Sequence, residues 1–219
     1  MTSIFKDKDE DLDFNEVNFD LCNPIIYNVN KKMNQFETLF YYFDIYTTRF
    51  NSFTYLENIR YKQNNDISGS IYSVTLKMPK NASNTKFLFV FEMNNTTNQI
   101  MGIGLIKNKL ANKQNIQIYS NQSFNSYVYK SNFHIPLIDT ENHNTYFKHI
   151  HKSWIQFIQD EFIDKIFYGK SHLKRGGSFS RFHLKLIKKK HIMFLLCLFI
   201  QINPNNFCDV VLANFNIHE

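Results

Sequence analysis

The chain has 219 residues, a formal net charge of +6 and a sequence pI near 9.1. Its 43% hydrophobic and 20% charged residues exclude wholesale disorder, and six glycines and four prolines exclude collagen-like or proline-rich architecture. Three scattered cysteines, Cys22, Cys197 and Cys208, exclude a disulfide scaffold, and the acidic start lacks the apolar core of a signal peptide. A reducing, intracellular setting, cytoplasmic or nuclear, is therefore expected.

Residues 1–30 open with Asp7, Asp9, Glu10, Asp11, Asp13, Glu16 and Asp20 against Lys6 and Lys8. Such a segment repels itself and has little apolar surface to bury, so a disordered tail is expected, followed by a single domain over 34–219. Within Asn34 to Phe50, Phe36, Leu39, Phe40, Phe43 and Tyr46 recur at three and four, the spacing of an amphipathic helix. Tyr72, Val74, Leu76 and Met78 then alternate with polar residues, as in a half-buried strand. Phe87 to Phe91 is a continuous apolar run that fits a central strand. The Asn94–Asn98 segment has turn chemistry, and Ile100 to Ile106 reads as the returning strand of a hairpin. Inside it, Gly102 and Gly104 leave one strand face bare at consecutive positions, which predicts close packing or a bend there. Weaker strands are expected at Asn115–Tyr119, Tyr127–Tyr129 and Phe133–Leu137.

Ser153 to Tyr168 returns to helical spacing, with Trp154, Phe157, Ile158, Phe162, Ile166 and Phe167 on one stripe, Ser153 as the expected N-cap and Gly169 as the stop. The apolar run Ile192 to Ile200 is about half the roughly 20 residues that a membrane span needs, so a core helix or buried strand is expected and no transmembrane span. The fold class expected is α+β: a small curled antiparallel sheet or β-barrel flanked by helices.

The most distinctive stretch is the basic segment 170–190. It holds Lys170, Lys174, Arg175, Arg181, Lys185, Lys188, Lys189 and Lys190 without an acidic residue, and Gly176, Gly177 and several serines punctuate it. Cations there would neutralise phosphates and release counterions, and small residues let backbone amides approach an anion. Phe179, interleaved in the segment, and Tyr129 are the aromatic residues expected to stack on bases. These components predict a non-catalytic nucleic-acid-binding module, with RNA or a single strand favoured. A structural or protein-interaction component, for instance of a virus, would instead dock the same segment on an acidic partner.

Catalytic chemistry finds little support. Gly169-Lys170-Ser171 lacks the upstream glycine of a phosphate loop, because position 164 is Asp. His149 and His151 have strand spacing but no further ligand nearby, and the cysteines form no Cys-x-x-Cys pair, so no metal or cofactor is called for. Asp160 and Glu161 are adjacent on a helix and point apart.

The pattern Phe87–Glu92, the Asn-Thr turn, Ile100-Met101-Gly102-Ile103-Gly104-Leu105 and Tyr127-Val128-Tyr129 resembles the PUA-like β-barrel superfamily of the EVE, ASCH and YTH types over about 70–140. The resemblance implies a barrel that binds RNA or modified bases without enzyme activity. The chain departs from the Trp-rich cage of the YTH type, since its one Trp lies on a predicted helix. The abundance of Asn, Lys, Ile, Phe and Tyr is that of AT-rich genomes, such as those of low-GC protists and large DNA viruses. For a viral protein the expected setting is the virion or host cytoplasm.

Overall fold

A computed structural model describes residues 42–78, 86–111, 116–138, 152–170, 172–174 and 178–202. The acidic segment 1–30, His149, His151, Arg175 and the Cys208 region lie outside them. Strands β1 (Phe43–Phe50), β3 (Phe87–Asn94), β4 (Gln99–Lys107), β6 (Phe133–Pro136) and β7 (Phe179–Arg181) form one sheet in the order β6-β4-β3-β1-β7. Strands β2 (Ser70–Val74) and β5 (Tyr127–Ser131) pair in a second, two-stranded sheet. The helices are α1 (Ser52–Asn64), α2 (Lys152–Phe167) and α3 (Lys189–Ile202).

The α+β class is as expected, but the sheet is neither wholly antiparallel nor closed into a barrel among the described residues. β1 runs parallel to β3, with Phe43 opposite Phe87 and Phe50 opposite Asn94, and the other neighbours are antiparallel. A parallel neighbour requires a crossover, here supplied by α1 and β2.

Each sheet face has its own core. Phe43, Ile45, Phe87, Phe89, Phe91, Ile103, Leu105 and Ile135 pack against Trp154, Ile158, Phe162 and Ile166 of α2 and the apolar length of α3. Tyr46, Leu88, Val90 and Ile106 pack on the opposite face with Ile71, Tyr72, Val128 and Tyr129 of the small sheet. Ten consecutive residues of α3, His191 to Ile200, are buried, so the expected core element is a helix. No helix among the described residues is long and apolar enough to cross a membrane.

Four local expectations change. The helix expected over 34–50 is a strand from Phe43 onward, because the side chains of Phe43 to Phe50 serve both cores and β-branched Ile45, Thr47 and Thr48 favour extended backbone. No strand forms at Ile116 to Tyr119. The N–H groups of Ile118 and Tyr119 donate instead to Asn125 Oδ1, at 2.9 and 3.0 Å. The strand expected to reach Met78 ends at Val74, and all five residues of β2 are buried. Helix α2 begins at Lys152, so Ser153 lies inside it and is not the N-cap, whereas Gly169 takes φ +75° and ends it.

Candidate functional site

Helix α2 delivers the basic segment to the carboxyl ends of the parallel pair β1 and β3. After the left-handed Gly169, Leu173 N–H donates back to Ile166 O at 2.8 Å and folds the chain over the helix end. The Lys174 carbonyl then accepts from Nη1 of Arg49, in the last residues of β1, at 2.8 Å and from Nδ2 of Asn95, just past β3, at 3.4 Å. Thr48 Oγ1 donates to Ser178 O at 3.2 Å, and the hydroxyls of Thr75 and Ser178 lie 2.9 Å apart. The segment is thus stapled where polar loops meet the ends of parallel strands, the position at which open α/β sheets hold ligands.

The predicted contact residues divide sharply. Lys170 and Lys188 are exposed, and Arg49, which the sequence did not single out, is exposed beside Lys174. Lys174 is half-buried, its Nζ 5.8 Å from the ring centres of Phe167 and Tyr168. Among the described residues none of these four cations meets a carboxylate. Arg175 and the side chains of Lys189 and Lys190 lie outside the described set.

Three of the predicted contact residues are engaged within the protein. Arg181 is on edge strand β7, and its Nη2 lies 2.7 Å from Oδ2 of buried Asp44. It is paired with this carboxylate, although the side chain remains 37% exposed. Phe179 is 7% exposed and meets Tyr72 and Tyr129 edge-to-face, at 6.0 and 5.3 Å. Tyr129 is 1% exposed, and its hydroxyl oxygen accepts from Met78 N–H at 2.9 Å. Both rings fasten the small sheet to β7 and present no face to a base. Alternation places Phe179 and Arg181 on one face of β7, which the Gly/Ser composition of the segment disguised.

Beneath α1 lies a second group that the sequence did not reveal. Glu92, buried in the middle of the sheet, accepts from Tyr72 Oη at 2.8 Å and lies 3.0 Å from His134 Nε2. Lys62 Nζ of α1 is 3.2 Å from His134 Nδ1. An ammonium can only donate, so Nδ1 accepts and the imidazole proton sits on Nε2, aimed at Glu92. Burial pushes the Glu92 carboxyl up, but His134, Lys62 and the Tyr72 hydroxyl together hold it below the ordinary carboxylate range. Burial lowers Lys62, against the pull of Glu92. Burial and the Glu92 charge both raise Tyr55 and Tyr72.

This cluster explains the two strand glycines. A Cβ on Gly104 would lie 2.1 Å from Tyr72 Oη, and one on Gly102 would lie 2.6 Å from Glu92 Oε2 and 3.0 Å from His134 Nε2. The bare strand face is occupied by polar side chains of the protein itself, the packing role expected for it. Glu92 and His134 line none of three cavities formed by the described residues, whereas Tyr72 lines one of them. No group of His, Cys, Asp and Glu among the described residues is placed to hold a metal.

Two of the cavities have cations and no carboxylate in their walls. One, of about 730 Å³, has Lys107, Lys109 and Lys130 around Phe87, Leu105 and Phe133. Another, of about 420 Å³, opens between Arg49, the first turn of α1, β2 and Ser178. Comparison with known proteins gives no match: no family model, curated protein or solved structure is significantly similar to the chain.

Proposed function

We propose that the protein is a non-catalytic nucleic-acid-binding module that holds a single strand, with RNA favoured, where Arg49 meets Lys174, with exposed Lys170 and Lys188 as further phosphate contacts. The observation that supports this reading is the stapling of the Lys174 carbonyl by Arg49 Nη1 at 2.8 Å. It brings cations from two distant parts of the chain to one end of the sheet without a carboxylate partner among the described residues. Lys170 and Lys174 follow the carboxyl end of α2, whose partial negative charge favours cations there and steadies the segment. The resemblance to PUA-like domains over about 70–140, a span from β2 to β6, favours the same class of ligand. With Phe179 and Tyr129 enclosed, binding rests on phosphate contacts and has little base preference.

The test is fluorescence anisotropy with single-stranded RNA at several salt concentrations, for wild type and a Lys170→Ala, Lys188→Ala double variant. Each phosphate contact removed is expected to reduce the slope of log K against log salt by about 0.7. Unchanged affinity and slope refute the assignment. Binding of an acidic polypeptide in place of RNA by the wild-type protein, weakened by the same variant, would assign the surface to an acidic protein partner instead.

A further inference from the structure

An open aromatic ring lies beside the stapled cation. Phe53, Phe124 and Tyr168 are the exposed aromatic residues among those described. Of the three, Tyr168 alone has an ammonium near its ring, Lys174 Nζ at 5.8 Å from the centre. Tyr168 is 50% exposed, whereas its neighbour Phe167 is enclosed in the core. The two consecutive rings thus divide between packing and solvent.

A lone exposed aromatic residue needs no explanation in itself. This one is held in place from two sides. Tyr168 N–H donates to Asp164 O at 3.1 Å, continuing the ladder of α2, and the left-handed Gly169 turns the chain away directly after it. From the sheet, Asn98 Nδ2 donates to the Tyr168 hydroxyl at 3.3 Å. Asn98 takes φ +54° in the β3–β4 turn, where Asn94 Oδ1 accepts from the N–H groups of Thr96 and Thr97 at 2.9 and 3.3 Å. The same turn supplies Asn95, which with Arg49 holds the Lys174 carbonyl. One turn therefore fixes both the ring and the residue whose ammonium lies beside it.

We infer that Tyr168 is the platform on which an unpaired base of the bound strand stacks, with Lys174 and Arg49 meeting the adjoining phosphates. The inference rests on the nucleic-acid reading above and names its base contact, the part that the enclosed Phe179 and Tyr129 cannot take. A base offers the ring a flat π-face, and an ammonium 5.8 Å from the ring centre is close enough for one nucleotide to meet both. A ring already held by Asn98 loses little freedom on binding. Every base has such a face, so the contact adds affinity without sequence preference. In a duplex those faces are stacked on one another, which makes this a contact for single strands.

Fluorescence anisotropy of the full chain with an oligouridylate and with an abasic ribose-phosphate strand of equal length separates base from phosphate. Wild type is expected to bind the oligouridylate about fivefold or more tightly than the abasic strand. Tyr168→Leu keeps apolar bulk and removes the π-face. It should weaken oligouridylate binding about fivefold or more, leave abasic binding unchanged and keep the wild-type slope of log K against log salt. Tyr168→Phe loses only the bond from Asn98 and should bind within about twofold of wild type. Tyr168 is exposed, so neither variant opens the core, and an unchanged urea midpoint verifies this.

Equal affinity of wild type for the two strands overturns the inference, and so does an equal loss on both strands in Tyr168→Leu. Lys170→Ala with Lys188→Ala should do the reverse of Tyr168→Leu, lowering the salt slope on both strands and keeping the preference for the strand with bases. If that double variant behaves so while Tyr168→Leu binds like wild type, the platform fails and the phosphate surface stands. If neither strand binds wild type, the nucleic-acid reading fails and the platform with it. An acidic polypeptide whose binding is weakened by Tyr168→Leu, with oligouridylate binding unchanged, would give the ring to a protein partner and likewise overturn the inference.

Discussion

Around Glu92 and around Lys174 the protein treats charge in opposite ways. Under α1 a buried carboxylate is met by Tyr72, His134 and, through the imidazole, Lys62. At the carboxyl ends of β1 and β3, Arg49, Lys170 and Lys174 gather with no carboxylate among the described residues to answer them. The interior charges hold elements together and are satisfied within the chain; those at the strand ends keep their capacity for a partner. Asp44 with Arg181 belongs to the first group although the sequence places Arg181 in the second.

The comparison is tested most severely by Glu92→Ala. It leaves His134, Lys62 and Tyr72 buried without their common partner, and the cost of breaking such a buried group is about 3–5 kcal/mol. Urea unfolding followed by circular dichroism measures it. A loss below about 1 kcal/mol, the scale of an exposed ion pair, would show that the cluster does not hold α1 to the sheet. Arg181→Ala comes next. Asp44 would remain enclosed in the sheet without its guanidinium, but Arg181 is partly solvated, so a smaller loss of about 2 kcal/mol is expected by the same measurement. If Arg181→Ala instead preserved stability and flattened the salt dependence of RNA binding, Arg181 would move to the binding surface.

These two residues also mark what was legible in the sequence. The β3–β4 hairpin, α2 with its Gly169 stop and the buried run in α3 could be read because apolar periodicity and turn chemistry agree there. Helix α1 could not. The face it buries carries Tyr55, Asn58 and Lys62, so the apolar stripe that betrays an amphipathic helix is missing, and only the Asn51–Thr54 cap announces it. Glu92 is one acidic residue after five apolar ones, and His134 lies 42 residues away in sequence, so only the β3–β4–β6 pairing unites them. The basic segment was visible as composition, but its division into exposed Lys170 and enclosed Phe179 depends on the pairing of β7 with β1. Arg49 escaped notice because it stands alone among neutral residues and gains its cationic company only through the fold.

Acid titration sharpens the contrast at a smaller scale. The folded-state pKa of Glu92 is held below its ordinary value, so the folded state binds the proton less readily than the unfolded state. The resulting stability is present above the ordinary Glu value of about 4.3 and is lost as pH falls through the lower folded value. Glu92→Gln lacks this contribution. The stability gap between wild type and Glu92→Gln should therefore be widest near neutrality and narrow on acidification below about pH 4. A gap independent of pH would mean that shape at position 92, and not its charge, supports the cluster.

The smallest expected effect on folding carries the other half of the comparison. Lys170 and Lys188 are exposed and meet no carboxylate among the described residues, so replacing both with Ala should shift unfolding stability by no more than about 0.5 kcal/mol per site. The same double variant is the one expected to reduce the salt dependence of RNA binding. Because Glu92→Gln changes no charge at the strand ends, RNA affinity measured near neutral pH, where that variant remains folded, should be unaffected by it. Stability and binding then respond to separate sets of residues. If the lysine variant destabilised the fold as much as Arg181→Ala, the cations after α2 would be engaged in holding the chain together, and their availability to a phosphate backbone would be lost as an argument.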